Sequence, residues 1–599
     1  MGASNKTRRD FLKSVGIGTA SLVFTGSEMG RPVWAGGKTT KRPNVVLVMT
    51  DDQGYGDLAC LGNPMLRTPH IDKLYAHSIR LTDFHVGTTC SPTRASLLTG
   101  RYCNATGVWH TVMGRSLLRE DEVTMADVFK AGGYRTAVFG KWHLGDNYPC
   151  RPQDRGFDET IVHGGGAIGN TQDYFGNDYF DDTYVHNGKR EKYEGYCTDI
   201  WFDNAMRFIK ECSEQEKSFF CYLPTNAAHG PYNVAEHYAK LYQSNPDVPN
   251  PNFYGMITNI DDNMGRLMRF LKENHLDDNT ILIFMTDNGS AVSIGDGKGF
   301  NAGMRGKKGS PYEGGHRVPC FIHWPGGDLT GPVDIGTLTG HIDLLPTLMD
   351  MCGLERLSGP KLHGRSLRAL LYGKKHDLED RTIVVDTQRV EDLIKWQNCS
   401  VMRRRWRLVS TENRIELYDL EKDPGQEKDI SGDHPDVVEQ LRGEYEKYWL
   451  ETSQRGGEYV RIQLGHDAEN PACLTGHDWH DAKTGFPVFA QGQVRQAIQS
   501  NGFWTVEVSR AGRYEFQLRR WPKEVDQPIN GAIPNGKAIS AVEAKLKIGD
   551  IEQTVPVTAA DKAAVFTVDL KGGPAKLQSW LIDEGGESRG AYYVYVKRL

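Results

Sequence analysis

Short, wholly apolar runs alternate with amphipathic segments along the front of this chain, the signature of a mostly parallel sheet flanked by helices. Val45-Val46-Leu47-Val48-Met49 and Ile281-Leu282-Ile283-Phe284-Met285 are buried strands by composition. Thr136-Ala137-Val138-Phe139, Phe219-Phe220-Cys221-Tyr222-Leu223 and Val318-Pro319-Cys320-Phe321-Ile322 are further strands, the last weakened by its proline. Between them Ile257, Ile260, Met264, Leu267 and Leu271 recur at helical spacing and form one apolar face. The fold class is therefore α/β.

A length of 599 residues, 39% of them hydrophobic, allows a substantial core and more than one domain. The α/β body is expected over 36–374. From 375 to 455 short strands (381–385 and 415–418) and a helix near 437–449 predict a small α+β subdomain. From 456 to 599 the period becomes two. Trp504, Val506 and Val508 alternate, Ala511-Gly512-Arg513 turns the chain, and Tyr514, Phe516 and Leu518 alternate again, so a C-terminal β-sandwich is expected. Trp504, Trp521 and Trp580 are the aromatics there that could stack on a sugar, although such residues are more often core.

A net charge of -6 leaves no basic field to gather phosphate backbones, which argues against nucleic acid as a partner. Residues 1–35 read as a twin-arginine signal peptide: Arg8 and Arg9 precede Phe11-Leu12 and a weakly apolar stretch too short to span a bilayer. The expected destination is the periplasm or the exterior, through the twin-arginine translocase, with no stable membrane span. The chain has 11 Cys, whose spacing dictates no bridges, though an oxidising compartment could pair some of them.

In open parallel sheets, ligands bind at the carboxyl ends of the strands. Here the first strand runs into Asp51-Asp52 and the strand at 281–285 into Asp287-Asn288, an all-oxygen set suited to calcium or magnesium rather than zinc. A single Asp at such a place is usually a turn or cap residue; two pairs weaken that explanation. The runs at 136–139 and 219–223 lead to Lys141, His143 and His229, groups able to carry charge or move protons. In Cys90-Ser91-Pro92-Thr93-Arg94, Pro92 suits a first helical turn and Gly100 a helix end, which places Cys90 at a positive helix terminus with Arg94 a turn further in.

These residues resemble the signature of the formylglycine-dependent sulfatases, a Cys-x-Pro-x-Arg core with a Leu-Thr-Gly-Arg ending at 98–101. The resemblance extends from about 43 to 420, through Gly140-Lys141-Trp142-His143 and the segment from Lys308 to Gly315. It implies an alkaline-phosphatase-like fold and Cys90 oxidised to formylglycine by a formylglycine-generating or sulfatase-maturating enzyme. It further implies calcium held by Asp51, Asp52, Asp287, Asn288 and the modified Cys90. Arg94 and Lys141 would then steady the formylglycine, His143 and His229 handle protons, and Lys308 bind sulfate. The implied substrate is a sulfate ester, with sulfated carbohydrate favoured over phenols and steroids by analogy. Loops 174–184 and 232–242 are open to two readings, as walls of a sugar subsite or as plain surface. Two rival functions stand beside this one: a formylglycine-dependent phosphonate or phosphodiester hydrolase, which typically presents Asp-His to a transition metal, and a catalytically silent carbohydrate-binding protein.

Overall fold

The computed structural model describes residues 42–599 except 293–297, 387, 412–413 and 483–485. The expected signal peptide lies outside the described residues. Ten strands form the main sheet: β1 (Asn44–Thr50), β2 (Ile79–Leu81), β3 (Arg135–Lys141), β4 (Glu159–His163), β5 (Thr183–His186), β6 (Lys189–Lys192), β7 (Phe219–Pro224), β8 (Thr280–Thr286), β9 (Cys320–His323) and β10 (Val333–Ile335). Their order is β10-β2-β9-β8-β1-β7-β3-β4-β5-β6. The first strand in sequence lies near the middle, parallel to both neighbours, with Val45 opposite Ile281 on one side and Phe220 on the other.

A strand without polar positions needs cover on both faces, and β1 receives it. Val45, Leu47 and Met49 pack with Ala95, Leu97 and Leu98 of helix α1 (Cys90–Thr99) and with Leu344, Leu345 and Leu348. Val46 and Val48 face the other way, toward Trp201, Phe202 and Phe208 of α2 (Cys197–Glu214) and the expected face of α3 (Pro251–Glu273), Ile257, Ile260, Met264, Leu267 and Leu271. The Asn250 side chain starts α3 by accepting from the amides of Asn252 and Phe253, with Pro251 filling a first-turn position whose N–H would be unbonded anyway.

The run at 318–322 behaves differently from its parallel companions. It becomes β9 only from Cys320 onward and is antiparallel to β8 and β2. Pro319 has no N–H to give a ladder, so it sits just ahead of the strand.

Strands Ile383–Asp386, Cys399–Arg403, Trp406–Thr411 and Arg414–Asp419 form an antiparallel sheet, which packs against α4 (Pro435–Thr452) through Val401, Leu408 and Leu417 on one side and Leu441 and Tyr445 on the other. Arg407 ties this sheet to the main body: its Nε donates to Glu313 Oε1 at 2.8 Å and its Nη2 to Asp83 Oδ1 at 2.7 Å. Burial would raise both carboxyls, but Arg407 together with His85 and Arg317 holds them below their usual range.

Beyond these lie two facing sheets of six and four strands around one core, in which Trp504, Val506, Leu546 and Leu577 meet Phe516, Leu518, Phe566 and Val594. The sandwich forms as expected, and the turn at Ala511-Gly512-Arg513 carries the chain from one sheet to the other. Phe503–Val508 pairs with Gly573–Asp583 in one sheet, and Gly512–Arg519 pairs with Ala564–Leu570 and Tyr593–Arg598 in the other. Each of the two strands has an apolar face, and crossing between sheets buries both faces against each other. Trp504 and Trp521 are fully buried, so neither is a sugar platform. All eleven cysteines are free thiols, and no described helix is long and apolar enough to cross a membrane.

Candidate active site

The polar residues that follow β1, β3, β7 and β8 meet at the sheet edge. Asp51, Asp52, Asp287, Asn288, Lys141 and His143 are all buried there, and Cys90 opens α1 directly beside them. The helix runs to Thr99 and stops at Gly100, as Pro92 and Gly100 predict. Donor atoms of Asp51, Cys90 and Asp287 all lie within 4.8 Å of one another.

Each carboxylate has its own cation. Arg94 donates through Nη2 to Asp287 Oδ2 at 2.9 Å and through Nη1 to the Lys141 carbonyl at 2.9 Å. Lys141 Nζ lies 2.5 Å from Asp51 Oδ2, and Lys308 Nζ lies 2.6 Å from Asp52 Oδ1 and 2.8 Å from Oδ2. Lys308 therefore reaches the cluster. Burial alone would raise the Asp52 carboxyl, but Lys308 and His229 hold it well below the usual range. Asp287 is pushed up to about 7 by burial and by the neighbouring Asp51.

The two histidines are anchored through opposite ring nitrogens. His143 donates from Nε2 to the Thr111 carbonyl at 2.9 Å, and its buried Nδ1 has no partner among the described residues. Burial and Lys141 keep its pKa far below the ordinary value, so it is a neutral ring with a free lone pair. His229 binds the Gly230 carbonyl through Nδ1 at 2.6 Å and turns Nε2 toward Asp52 Oδ2 at 3.6 Å. Burial and Lys308 lower it to about 4. Lys308 itself is held protonated by Asp52 against its own burial.

The calcium site expected at Asp51, Asp52, Asp287 and Asn288 can be tested against the donors present. Asp51 Oδ1 and Asn288 Oδ1 are buried acceptors without a hydrogen-bond donor among the described residues. Such an atom costs about 1–3 kcal/mol unless something meets it. Asn288 is oriented by its own Nδ2, which donates to Asp52 Oδ1 at 2.9 Å. Buried oxygens that no donor among the described residues meets fit a hard cation. A second group, His85, Glu313 and His316, does not: Glu313 serves Arg407, and the outer ring nitrogens of His85 and His316 bind Asp83 and the Pro311 carbonyl.

Gly140 explains why a glycine precedes Lys141. It sits at φ +126°, and a Cβ there would stand 2.0 Å from the Pro224 carbonyl oxygen of β7. Gly140→Ala is expected to lower the midpoint of urea unfolding, by an amount equivalent to about 2–4 kcal/mol, with the m-value unchanged. A midpoint equal to that of the parent would show that this approach is not needed.

A cavity of about 160 Å³ opens over Cys90, lined by Thr89, His143, His229 and Lys308 together with residues the sequence did not single out. Those include Asn170, Arg389, His477 and Phe489. Neither aromatic loop proposed for the sugar subsite lines it. Tyr179, from the first of them, is buried beneath and donates its hydroxyl to the His229 carbonyl at 2.8 Å, so it supports the histidine rather than a ligand. The dense polar run Gly476-His477-Asp478-Trp479-His480-Asp481 was the available signal for His477.

The Sulfatase family model matches residues 43–354, and the model for the C-terminal part of N-sulphoglucosamine sulphohydrolase matches 307–449. Human arylsulfatase A is 31% identical over 376 residues, which cover 57% of this chain and 69% of that protein. Human N-acetylgalactosamine-6-sulfatase is 28% identical over 368 residues, covering 56% and 67%. Among solved structures, Ps i-CgsB in complex with k-i-k-neocarrahexaose superposes with a TM-score of 0.62 at 26% identity, over 70% of this chain and 95% of that one. A family match that spans more than half the chain, over the same stretch that builds the buried cluster, settles the identity: this chain belongs to the sulfatase family and is a sulfuric ester hydrolase.

Proposed function

We propose that the chain removes sulfate from sulfated carbohydrate, with a formylglycine made from Cys90 and a calcium ion held by Asp51, Asp52, Asp287 and Asn288. The observation that carries this reading is Cys90 itself, buried at the first position of α1 beside a carboxamide and a carboxylate oxygen that have no partner among the described residues. The names of the relatives support the sugar, since one acts on N-acetylgalactosamine 6-sulfate and another is bound to a neocarrahexaose. Against a phosphodiester hydrolase stands Asn288, which offers an oxygen where an imidazole nitrogen would be wanted. Against a silent binding protein stands the assembled set of Arg94, Lys141, His143, His229 and Lys308.

A bound calcium would supply positive charge for the sulfate oxygens, and a hydrated formylglycine two hydroxyls on one carbon, one to attack sulfur and one to expel sulfate. The chain's own residues arrange the rest. Arg94 and Lys141 lie beneath the cluster and keep Asp287 and Asp51 aimed, so the charges are fixed before the substrate arrives. Lys308, protonated and in the wall of the cavity over Cys90, is the group that would stabilise the departing alcohol oxygen. His229, neutral with Nε2 facing inward, can accept or relay that proton. His143 meets the base requirement of the last step, because its Nδ1 lone pair is free and buried while Nε2 is anchored on Thr111.

As part of the same proposal, the protein is exported by the twin-arginine route to the periplasm or exterior after a maturating enzyme has acted on Cys90. The test is mass spectrometry of the Cys90 peptide together with metal analysis and sulfate release from a panel of sulfated saccharides. Formylglycine, about one calcium per chain and release from a saccharide are the expected results. Stoichiometric manganese or zinc, or an unmodified cysteine in fully active protein, would overturn the reading.

A further inference from the structure

The C-terminal sandwich reaches into the active site, although both family models end at or before residue 449. His477, Phe486 and Phe489 line the same cavity as Cys90, His143, His229 and Lys308. His477 is 2% exposed, and its Nδ1 is fixed 2.8 Å from Asp478 Oδ1. Its Nε2 is buried with no hydrogen-bond partner among the described residues. The ring centre lies 6.1 Å from that of His143. A polar atom left open in the wall of a catalytic cavity is a group waiting for a ligand.

The wall is held in place from both sides. The Met113 amide donates to the His477 carbonyl at 3.0 Å, and the Thr171 amide to the Phe489 carbonyl at 2.9 Å. The Gln491 amide donates to the Gly169 carbonyl at 2.9 Å, and its side chain to the Asn170 carbonyl at 3.0 Å. Asn170 in turn accepts from the amides of Gly166 and Ala167, which line the cavity beside it. A surface tied down in this way gives up little conformational freedom when a substrate binds.

We infer that His477 and Phe489 form the specificity wall for the alcohol half of the substrate, His477 Nε2 hydrogen-bonding a sugar hydroxyl and Phe489 covering an apolar ring face. The inference rests on the carbohydrate reading given above and adds that the sandwich, rather than the shared α/β body alone, selects the sugar. An imidazole, an amide and phenyl groups around one small cavity suit a ring with polar edges and apolar faces. An aryl sulfate has no hydroxyl to offer His477, so the two substrate classes separate the residue's role from simple packing.

The experiment compares kcat/KM for monosulfated monosaccharides and for 4-nitrophenyl sulfate, using the full matured chain and its His477→Ala, His477→Gln and Phe489→Leu variants. Loss of a hydrogen bond to a substrate hydroxyl is expected to lower the sugar-to-aryl ratio about 10- to 100-fold in His477→Ala. Glutamine keeps a polar group near Nε2 and is expected to restore most of the ratio; leucine at 489 is expected to lower it by a smaller factor. If His477→Ala folds poorly, the other two variants still report the ratio. A ratio that stays at the parent value in all variants, whether the two rates fall together or not at all, would overturn the inference. A parent protein that cleaves the aryl ester but no sugar ester would instead overturn the carbohydrate reading beneath it.

Discussion

Cys90→Ser, produced in a host that does not oxidise serine at this position, is expected to release at most one equivalent of alcohol per enzyme and then stop. Serine places one hydroxyl at the start of α1, where Arg94, Lys141 and the cation site would still favour attack on sulfur. The resulting sulfate ester has no second hydroxyl on the same carbon. His143, with its free Nδ1, then has no proton whose removal could re-form a carbonyl and expel sulfate. Steady-state turnover should fall below detection, and intact-mass analysis should find the serine peptide carrying sulfate. Sustained turnover with that serine verified as unmodified would remove the basis for a two-hydroxyl mechanism. Complete inertness, with no sulfated peptide, would mean that serine does not attack at all.

Asp287→Asn is expected to remove calcium and at least about 1,000-fold of kcat/KM, a loss of some 4 kcal/mol of transition-state stabilisation. The change keeps the shape of the side chain and discards its charge. One effect falls on the proposed calcium, which would lose an anionic ligand. The other falls on Arg94, which is fully buried and has Asp287 as its only salt-bridge partner among the described residues. Leaving a buried guanidinium without its counter-charge costs about 3–5 kcal/mol, so the unfolding midpoint should fall as well. Calcium content by elemental analysis, steady-state kinetics and denaturant titration check the three parts separately. Retained calcium with retained turnover would disprove the metal assignment.

Much of the α/β body was legible because its signals are local. A run such as 45–49 has only one way to hide five apolar side chains, and the polar residues that follow a parallel strand are delivered to one sheet edge whatever the intervening loops do. Thus Asp51, Lys141, His229 and Asp287 meet as their positions after the strands predict. The features that escaped depend on partners distant in the chain. The partners of strands 503–508 and 512–519 were not legible because alternation gives the buried face of a strand but not its neighbour. Glu313 belongs to a segment marked by resemblance, yet its partner is Arg407 in another sheet, a structural tie that no spacing announces. His477 was not legible for the same reason: its relevance comes from docking onto residues near Met113, far away in the chain.

The central place of β1 has a kinetic consequence. Its neighbours begin at Phe219 and Thr280, so the middle of the sheet cannot close until the chain has been made past both. Closing such large loops delays the pairing, and high contact order slows the collapse further. Through that interval Cys90, which is only 3% exposed once α1 has docked, is still on an open strand of polypeptide. If Cys90 is oxidised as proposed above, an enzyme that must reach its sulfur would meet the growing or newly finished chain, and the folding time of this sheet would limit the modification.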